Sequence, residues 1–309
     1  MKVLVAGATG AIGRPLVERL VADGHTVVGT TRDPARARAL RERGAEAVVL
    51  DAFDAAAVHA AVAAAAPEVV VHQLTALPRR PDRKAMAQAV ADTARLRRET
   101  VPTFVDAARV AGARRIVVQS ISFVTAPDGR PVHDEDAPLM LTPGWTRTNV
   151  EAIRDLEAAT VGARGIEGVA LRYGFYYGPG TWYDRDGAIA TMIRKRHYPI
   201  IGRGEGRSSF VHVDDAVDAT VRALDRGASG IYNITDGAPA MQREWVPEAA
   251  RLLGAKPPRH VPAWLARRLA GPAVVHYATT LPGNAGDRAR AALDWHPRSW
   301  REGFAEVFA

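Results

Sequence analysis

Cysteine is absent from the 309 residues, which excludes a disulfide framework, a thiolate nucleophile and any zinc-thiolate site. Lysine is almost as scarce: Lys2, Lys84, Lys195 and Lys256 are the whole supply, so the basic character rests on arginine. No apolar run reaches the roughly 20 residues that cross a bilayer. The apolar N-terminal run is only a strand long before glycine interrupts it, too short for a signal peptide. The run 262–275 is broken by Arg267, Arg268, Gly271 and Pro272. A membrane is therefore not an expected partner, and the cytoplasm is the expected location. A net charge of +7 invites nucleic acid, but arginines such as Arg36, Arg38, Arg41 and Arg43 are scattered through alanine-rich stretches without aromatic interleaving or a basic tail. Nucleic acid is not an expected partner either. With 47% hydrophobic and 24% charged residues, the composition is that of an ordinary globular protein.

What is present is concentrated at the N-terminus. The apolar run Val3 to Ala6 leads into Gly7, Thr9, Gly10, Ala11, Ile12 and Gly13, and an amphipathic run from Arg14 to Ala22 follows. Glycine serves where the chain turns tightly, where N–H groups must approach phosphate oxygens without a Cβ between, and where strand and helix pack closely. The helix N-terminus adds free donors and a positive dipole end. Strand before, helix after and a further strand at 25–30 give the context of a dinucleotide-binding loop.

Short β-branched runs at 3–6, 26–30, 47–50, 69–71, 115–119 and 169–172 alternate with helical periodicity at 35–43, 55–65, 83–110 and 150–159. Pro102 should kink or split the long third of these. The alternation predicts an α/β fold: a Rossmann-type doubly wound parallel sheet with a smaller C-terminal substrate-capping lobe. The expected boundaries are 1–175 for the dinucleotide-binding domain and 176–309 for the lobe, with segments of 205–236 returning to the first.

Further along, the chain carries Val-Val-Leu-Asp at 48–51, Val-Val-His-Gln-Leu-Thr-Ala at 70–76, Ile-Val-Val-Gln-Ser-Ile-Ser at 116–122, Tyr-Tyr-Gly-Pro-Gly at 176–180, Ser-Phe-Val-His-Val-Asp-Asp at 209–215 and Ile-Tyr-Asn-Ile-Thr-Asp at 231–236. With the glycine loop, these motifs make the chain similar over nearly its whole length to the extended short-chain dehydrogenase/reductase superfamily, the NAD(P)-dependent epimerase/dehydratase group. The resemblance implies that Asp51 and Ala52 border the adenine and that Leu74, Thr75 and Ala76 line the ribose and nicotinamide side. It also implies that Tyr173, Gly174 and Phe175 lie near the nicotinamide, and that Ser120 or Ser122 faces the substrate. A homodimer through the helices at 83–110 and 150–159 is the assembly it suggests.

An acidic residue at the end of the second strand would bind both ribose hydroxyls of NAD and repel the 2′-phosphate of NADP. Thr31 stands there and Arg32 follows, with Arg36 or Arg14 as nearby helpers; a guanidinium suits a phosphate. NADP is expected over NAD.

One part of the family pattern is missing. Its members carry a Tyr-x-x-x-Lys pair at the start of the helix after the fifth strand, where lysine lowers the tyrosine pKa so that phenolate can act as a base; unaided tyrosine titrates near pH 10. Here Trp145 and Asn149 take those places, the first tyrosine of the chain is Tyr173, and no lysine is near. Three outcomes stand open. Another group serves as acid or base, from Tyr173, Tyr176, Tyr177, Tyr183, or the loop His133, Asp134 and Glu135. Alternatively, Ser120 or Ser122 polarises a carbonyl and little proton transfer from a phenolate is needed. In the third outcome catalysis is lost, leaving a non-catalytic NADP-dependent sensor or scaffold, as in the nitrogen-metabolite-repressor branch of atypical reductases.

The leading expectation is an enzyme on a small polar metabolite, reducing a carbonyl or oxidising an alcohol, then an epimerase or dehydratase, then a redox-neutral enzyme. Ser120, Ser122, Tyr176 and Tyr183 are the catalytic candidates, and Trp145, Asn149, Trp182 and Arg207 the substrate-side ones. His212-Val213-Asp214-Asp215 reads as a helix cap rather than a metal site, so no metal is expected.

Overall fold

The computed structural model describes residues 1–78, 83–141 and 145–309, the side chains at 83, 84, 145 and 146 excepted. The first half alternates as the apolar pattern requires: β1 (Lys2–Ala6), α1 (Gly13–Ala22), β2 (Thr26–Thr31), α2 (Pro34–Glu42), β3 (Glu46–Val49), α3 (Ala55–Ala65), β4 (Val69–His72), α4 (Arg83–Val110), β5 (Arg115–Ile121), the short β6 (Val132–His133), α5 (Trp145–Val161) and β7 (Glu167–Tyr173). There follow β8 (Phe175–Tyr177), α6 (Ala188–Arg194), β9 (Ile200–Ile201), β10 (Arg207–Ser208), β11 (Phe210–His212), α7 (Val213–Arg222) and β12 (Gly230–Ile234). The chain closes with β13 (Ala240–Met241), α8 (Gln242–Leu252), β14 (His260–Val261), α9 (Ala263–Ala270), α10 (Pro272–Thr279), β15 (Gly283–Asn284), α11 (Asp287–Leu293) and α12 (Trp300–Phe308).

Seven strands form one parallel sheet in the order β12-β7-β5-β4-β1-β2-β3. The order reverses beside β1, and in such sheets ligands bind at the carboxyl ends of the strands at that point. The period of two divides each central strand between two cores. Val3, Val5, Val69, Val71 and Val117 pack with Leu16 and Val17 of α1 and Val217 of α7. Leu4, Ala6, Val70, Ile116 and Val118 face Val58 of α3, Phe104 of α4 and Leu156 of α5 on the other side. A third core, built from Tyr177, Tyr183, Phe210, Trp245, Trp300 and Phe304, belongs to the C-terminal part of the chain.

Two local expectations are corrected. Helix α4 continues through Pro102 rather than splitting there; Val101 and Phe104 on either side are fully buried and hold it against the sheet. Helix α5 begins at Trp145 rather than at 150. No described helix is long and apolar enough to cross a membrane.

Candidate active site

The glycine loop leaves β1 with Gly7 at a φ of 86°, which favours glycine. A Cβ on Gly13 would stand 2.0 Å from the Gly7 carbonyl oxygen, so this glycine lets α1 pack against the loop. Gly10 is exposed, and a Cβ there would meet only the Gly7 oxygen at 3.3 Å. The loop is thus closed towards the protein and open on its outer side, at the N-terminus of a helix, which is the cradle a diphosphate requires. Thr9 is half-buried, Ala11 is exposed and Ile12 is buried.

Thr31 ends β2, its Oγ1 accepting from the Asp33 N–H at 3.2 Å. Arg32 is exposed and has no partner among the described residues; the same is true of Arg14, whose guanidinium lies 3.9 Å from where a Gly180 Cβ would sit. Arg36 pairs with Asp33 at 3.4 Å instead of standing free, while Asp33 caps α2 through Ala35. Exposed Asp51 accepts from the Phe53 N–H, next to half-buried Ala52. After β4, Leu74 is half-buried, Thr75 is exposed and Ala76 donates its N–H to Thr93 Oγ1 at 3.1 Å. Trp182 reaches this segment from the C-terminal part, donating its indole N–H to the Pro78 carbonyl at 2.9 Å.

Ser120 is fully buried and donates to Glu157 at 2.8 Å. Strand alternation puts it on the face of Ile116 and Val118, towards α5, so it braces the sheet and leaves the substrate-facing set. Glu157 also takes a two-pronged ion pair from Arg172, 2.7 Å on each side, and Arg172 donates to the Glu135 carbonyl. Ser122, past the end of β5, is also fully buried, but its hydroxyl has no partner among the described residues.

The tyrosines are neutral groups here. Burial pushes Tyr173 up to about 12, and its hydroxyl sits between Thr220 at 2.6 Å and Gln73 at 3.1 Å. Burial lifts Tyr176 well above its ordinary range, and its hydroxyl is enclosed without a partner. Tyr183 is also lifted well above by burial, with Tyr198 beside it, and its ring packs edge-on to Trp245 and Phe210. That packing makes Tyr183 a core residue of the capping part and removes it from the catalytic set. Tyr177 is fully buried beside His212 and Phe304.

The acidic loop is structural too. Buried His133 is bonded to Asp128 at 2.8 Å, Asp134 accepts from the Asp136 N–H, and Glu135 accepts from the Asn233 N–H at 2.7 Å. His212 caps α7 through the Asp214 N–H. Trp145 opens α5, but its side chain lies outside the described residues. Asn149 accepts from Arg97 at 2.7 Å, and burial lowers that guanidinium to about 10.

Sequence reasoning missed Glu157, Arg172 and Arg97, although a charge closing a buried strand, as Arg172 does, signals a partner on the covering helix. It also missed Phe123 and Tyr277, which meet Phe175 at the carboxyl edge of β5 and β7: Phe123 and Phe175 stack at 4.2 Å and 15°, and Tyr277 stands edge-on to both at 6.3 Å.

The sequence profile of the NAD dependent epimerase/dehydratase family matches residues 3–235. A protein of a Streptomyces species, "3-diazoavenalumate denitrifying reductase", is 51% identical over 98% of this chain and 99% of its own. Among solved structures, MoeE5 in complex with UDP-glucose and NAD is 26% identical, with a TM-score of 0.71 over 100% of this chain and 97% of the other. UDP-glucose 4-epimerase with UDP-glucose from Thermotoga maritima, 19% identical with a TM-score of 0.77 over 100% and 97%, has the same fold.

Proposed function

The chain belongs to the NAD dependent epimerase/dehydratase family and is an enzyme, and from that premise we propose that it is an NADPH-dependent reductase that removes dinitrogen from a small organic carboxylate whose diazo group reacts in its diazonium form. The diazo substrate comes from the name of the 51% identical relative. The observation that carries the reading is the lack of a tuned acid–base pair: burial raises Tyr173 and Tyr176 at the carboxyl edge, which makes their hydroxyls poorer proton donors, and Asn149 is bound to Arg97 where the family lysine belongs.

A carbonyl needs a proton as hydride arrives; a diazonium group does not, because it carries its own positive charge. When bound, the reduced nicotinamide supplies hydride: R–N2⁺ + NADPH gives R–H + N2 + NADP⁺, in which the C–N bond breaks with loss of dinitrogen and no proton is taken up. The protein's part is to hold the reactants together and keep water out. Gly7, Gly10 and Gly13 hold the diphosphate, and Asp51, Ala52, Leu74, Thr75 and Ala76 border the adenine, ribose and nicotinamide. Gly174 and Phe175 close the nicotinamide side, with Ser122 and Tyr176 each offering an enclosed, unpaired hydroxyl. Thr31 and unpartnered Arg32 favour NADP over NAD. Trp182 ties the capping part to the segment after β4. The division at 175/176 into cofactor and capping parts belongs to the same reading, as does a cytoplasmic location. A homodimer through α4 and α5 belongs to the same reading.

The test is turnover of an arenediazonium carboxylate with 4-deuterated NADPH. The expected result is dinitrogen release matching NADPH oxidation, deuterium on the carbon that bore nitrogen, and a kcat that is flat between about pH 6 and 8. Oxidation of NADPH without deuterium in the product, or turnover confined to sugar nucleotides, overturns it.

A further inference from the structure

We infer that Arg97 supplies, from α4, the fixed positive charge that the family pattern places on α5, and that this charge sets the site to hold the reduced nicotinamide and release the oxidised one. The inference rests on the cofactor placement of the reductase reading, not on its diazo substrate, and names the residue that discriminates between the two redox states.

The helix face fixes where the charge stands. Thr93, Arg97 and Thr100 are spaced four and three apart, on one face of α4, and all three are buried. Thr93 Oγ1 accepts from the Ala76 N–H at 3.1 Å, and Thr100 Oγ1 is bonded to His72 Nε2 at 2.9 Å. Arg97 thus faces the segment 72–76 that leaves the carboxyl end of β4, and its Nη1 reaches across to Asn149 Oδ1 on α5 at 2.7 Å. The charge is felt along this segment: His72 is lowered to about 4, by burial first and by the Arg97 charge after it.

That charge is not balanced by an ion pair. Arg97 makes none with the described residues, and its Nε has no partner among them. Glu157 offsets the burial of Arg97 in part, but its carboxylate is committed to both sides of Arg172 and to Ser120. Burial lowers Arg97 only to about 10, so it stays a cation at neutral pH. A neutral amide would bridge α4 and α5 without that cost, whereas a buried guanidinium lacking a counter-charge is expensive to keep. Its use is electrostatic. The reduced nicotinamide ring is neutral and becomes a cation on giving up hydride, so a like charge held beside it in a low-dielectric site opposes the oxidised state and spares the reduced one. Oxidised cofactor is then the form the site expels.

The experiment measures dissociation constants of NADPH and NADP⁺, with NADH and NAD⁺ as a second pair, by calorimetry without substrate. The parent should bind the reduced form at least about tenfold more tightly than the oxidised one. Arg97→Gln keeps a donor for Asn149 and removes the charge. It should bring the two constants within about twofold, chiefly by tightening the oxidised form, and melt no lower than the parent. Arg97→Lys should retain the preference. Asn149→Asp sets a counter-charge against Arg97 from the other helix and should collapse the preference with Arg97 in place, which keeps the test decisive if Arg97→Gln does not fold. A parent that holds both forms equally, a preference unchanged in folded Arg97→Gln or Asn149→Asp, or equal weakening of both forms overturns the inference. A preference set by Arg97 without diazonium reduction sinks only the reductase reading; diazonium reduction by a protein that binds both forms equally sinks only the role of Arg97.

Discussion

Arg97 of α4 donates to Asn149 of α5 at 2.7 Å; the residue is 4% exposed and its Nε has no partner among the described residues. The amide thereby satisfies a buried cation with a neutral acceptor at the position where the family pattern places a second cation. Asn149→Lys should therefore destabilise the fold by about 2 kcal/mol, as an uncompensated charge beside a buried one does. Asn149→Asp, which keeps an acceptor and adds a counter-charge, should keep or raise the melting temperature. Paired thermal melts check both.

Gly13→Ala and Gly10→Ala should separate folding from cofactor binding. The first sets a methyl 2.0 Å from a backbone oxygen and should cost about 3 kcal/mol of stability, in the overpacking range. The second meets only the Gly7 oxygen, a close contact at 3.3 Å that a shift of a few tenths of an ångström relieves, yet fills the open side of the loop. It should melt near the parent temperature without ligand and lose the upward shift that NADPH gives.

Ser120→Ala should lower stability by about 1 kcal/mol and leave kcat within about twofold, since Glu157 keeps Arg172. Glu157→Gln leaves Arg172 short of its counter-charge and should cost about 3 to 5 kcal/mol. Ser122→Ala should reverse the pattern, with small change in denaturant midpoint and a larger drop in turnover. Urea melts and steady-state rates on the three variants give the comparison.

Arg32→Ala should weaken NADPH about tenfold, the size of a charge-assisted hydrogen bond, while NADH affinity stays within about twofold. An unchanged ratio of the two dissociation constants removes the NADP preference from this side chain.

His72 sets an acid limit. It is 1% exposed and bonded to Thr100 at 2.9 Å, and burial lowers its pKa from 6.5 to about 4. The unfolded chain therefore binds a proton between those values that the folded protein does not. Its contribution is whole above about pH 6.5 and is lost as pH falls through 4, by about 3 kcal/mol at most. Melts from pH 7 to 4 should fall, and His72→Gln should fall less steeply over that interval.

Much of this protein could be read along the chain, because local chemistry sets it. The glycine spacing at 7, 10 and 13 and the β-branched runs were enough to expect a parallel doubly wound sheet. Tight turns, N–H access and strand periodicity are properties of consecutive residues. The missing tyrosine and lysine were equally plain, an absence that no folding can repair. What the order of residues left open was partnership across distance. Ser120 and Ser122 look alike in sequence, yet the alternation of β5 and the arrival of α5 give one to Glu157 and leave the other enclosed and unpaired. Tyr183 resembled a catalytic candidate until Trp245 and Phe210 closed around it. Phe123, Phe175 and Tyr277 are separated by up to 154 positions in the chain, and only the packing of α10 over the carboxyl edge of the sheet makes them one surface. Contacts of that kind depend on which side chains fill which space, and a linear pattern carries that information only after the chain has folded.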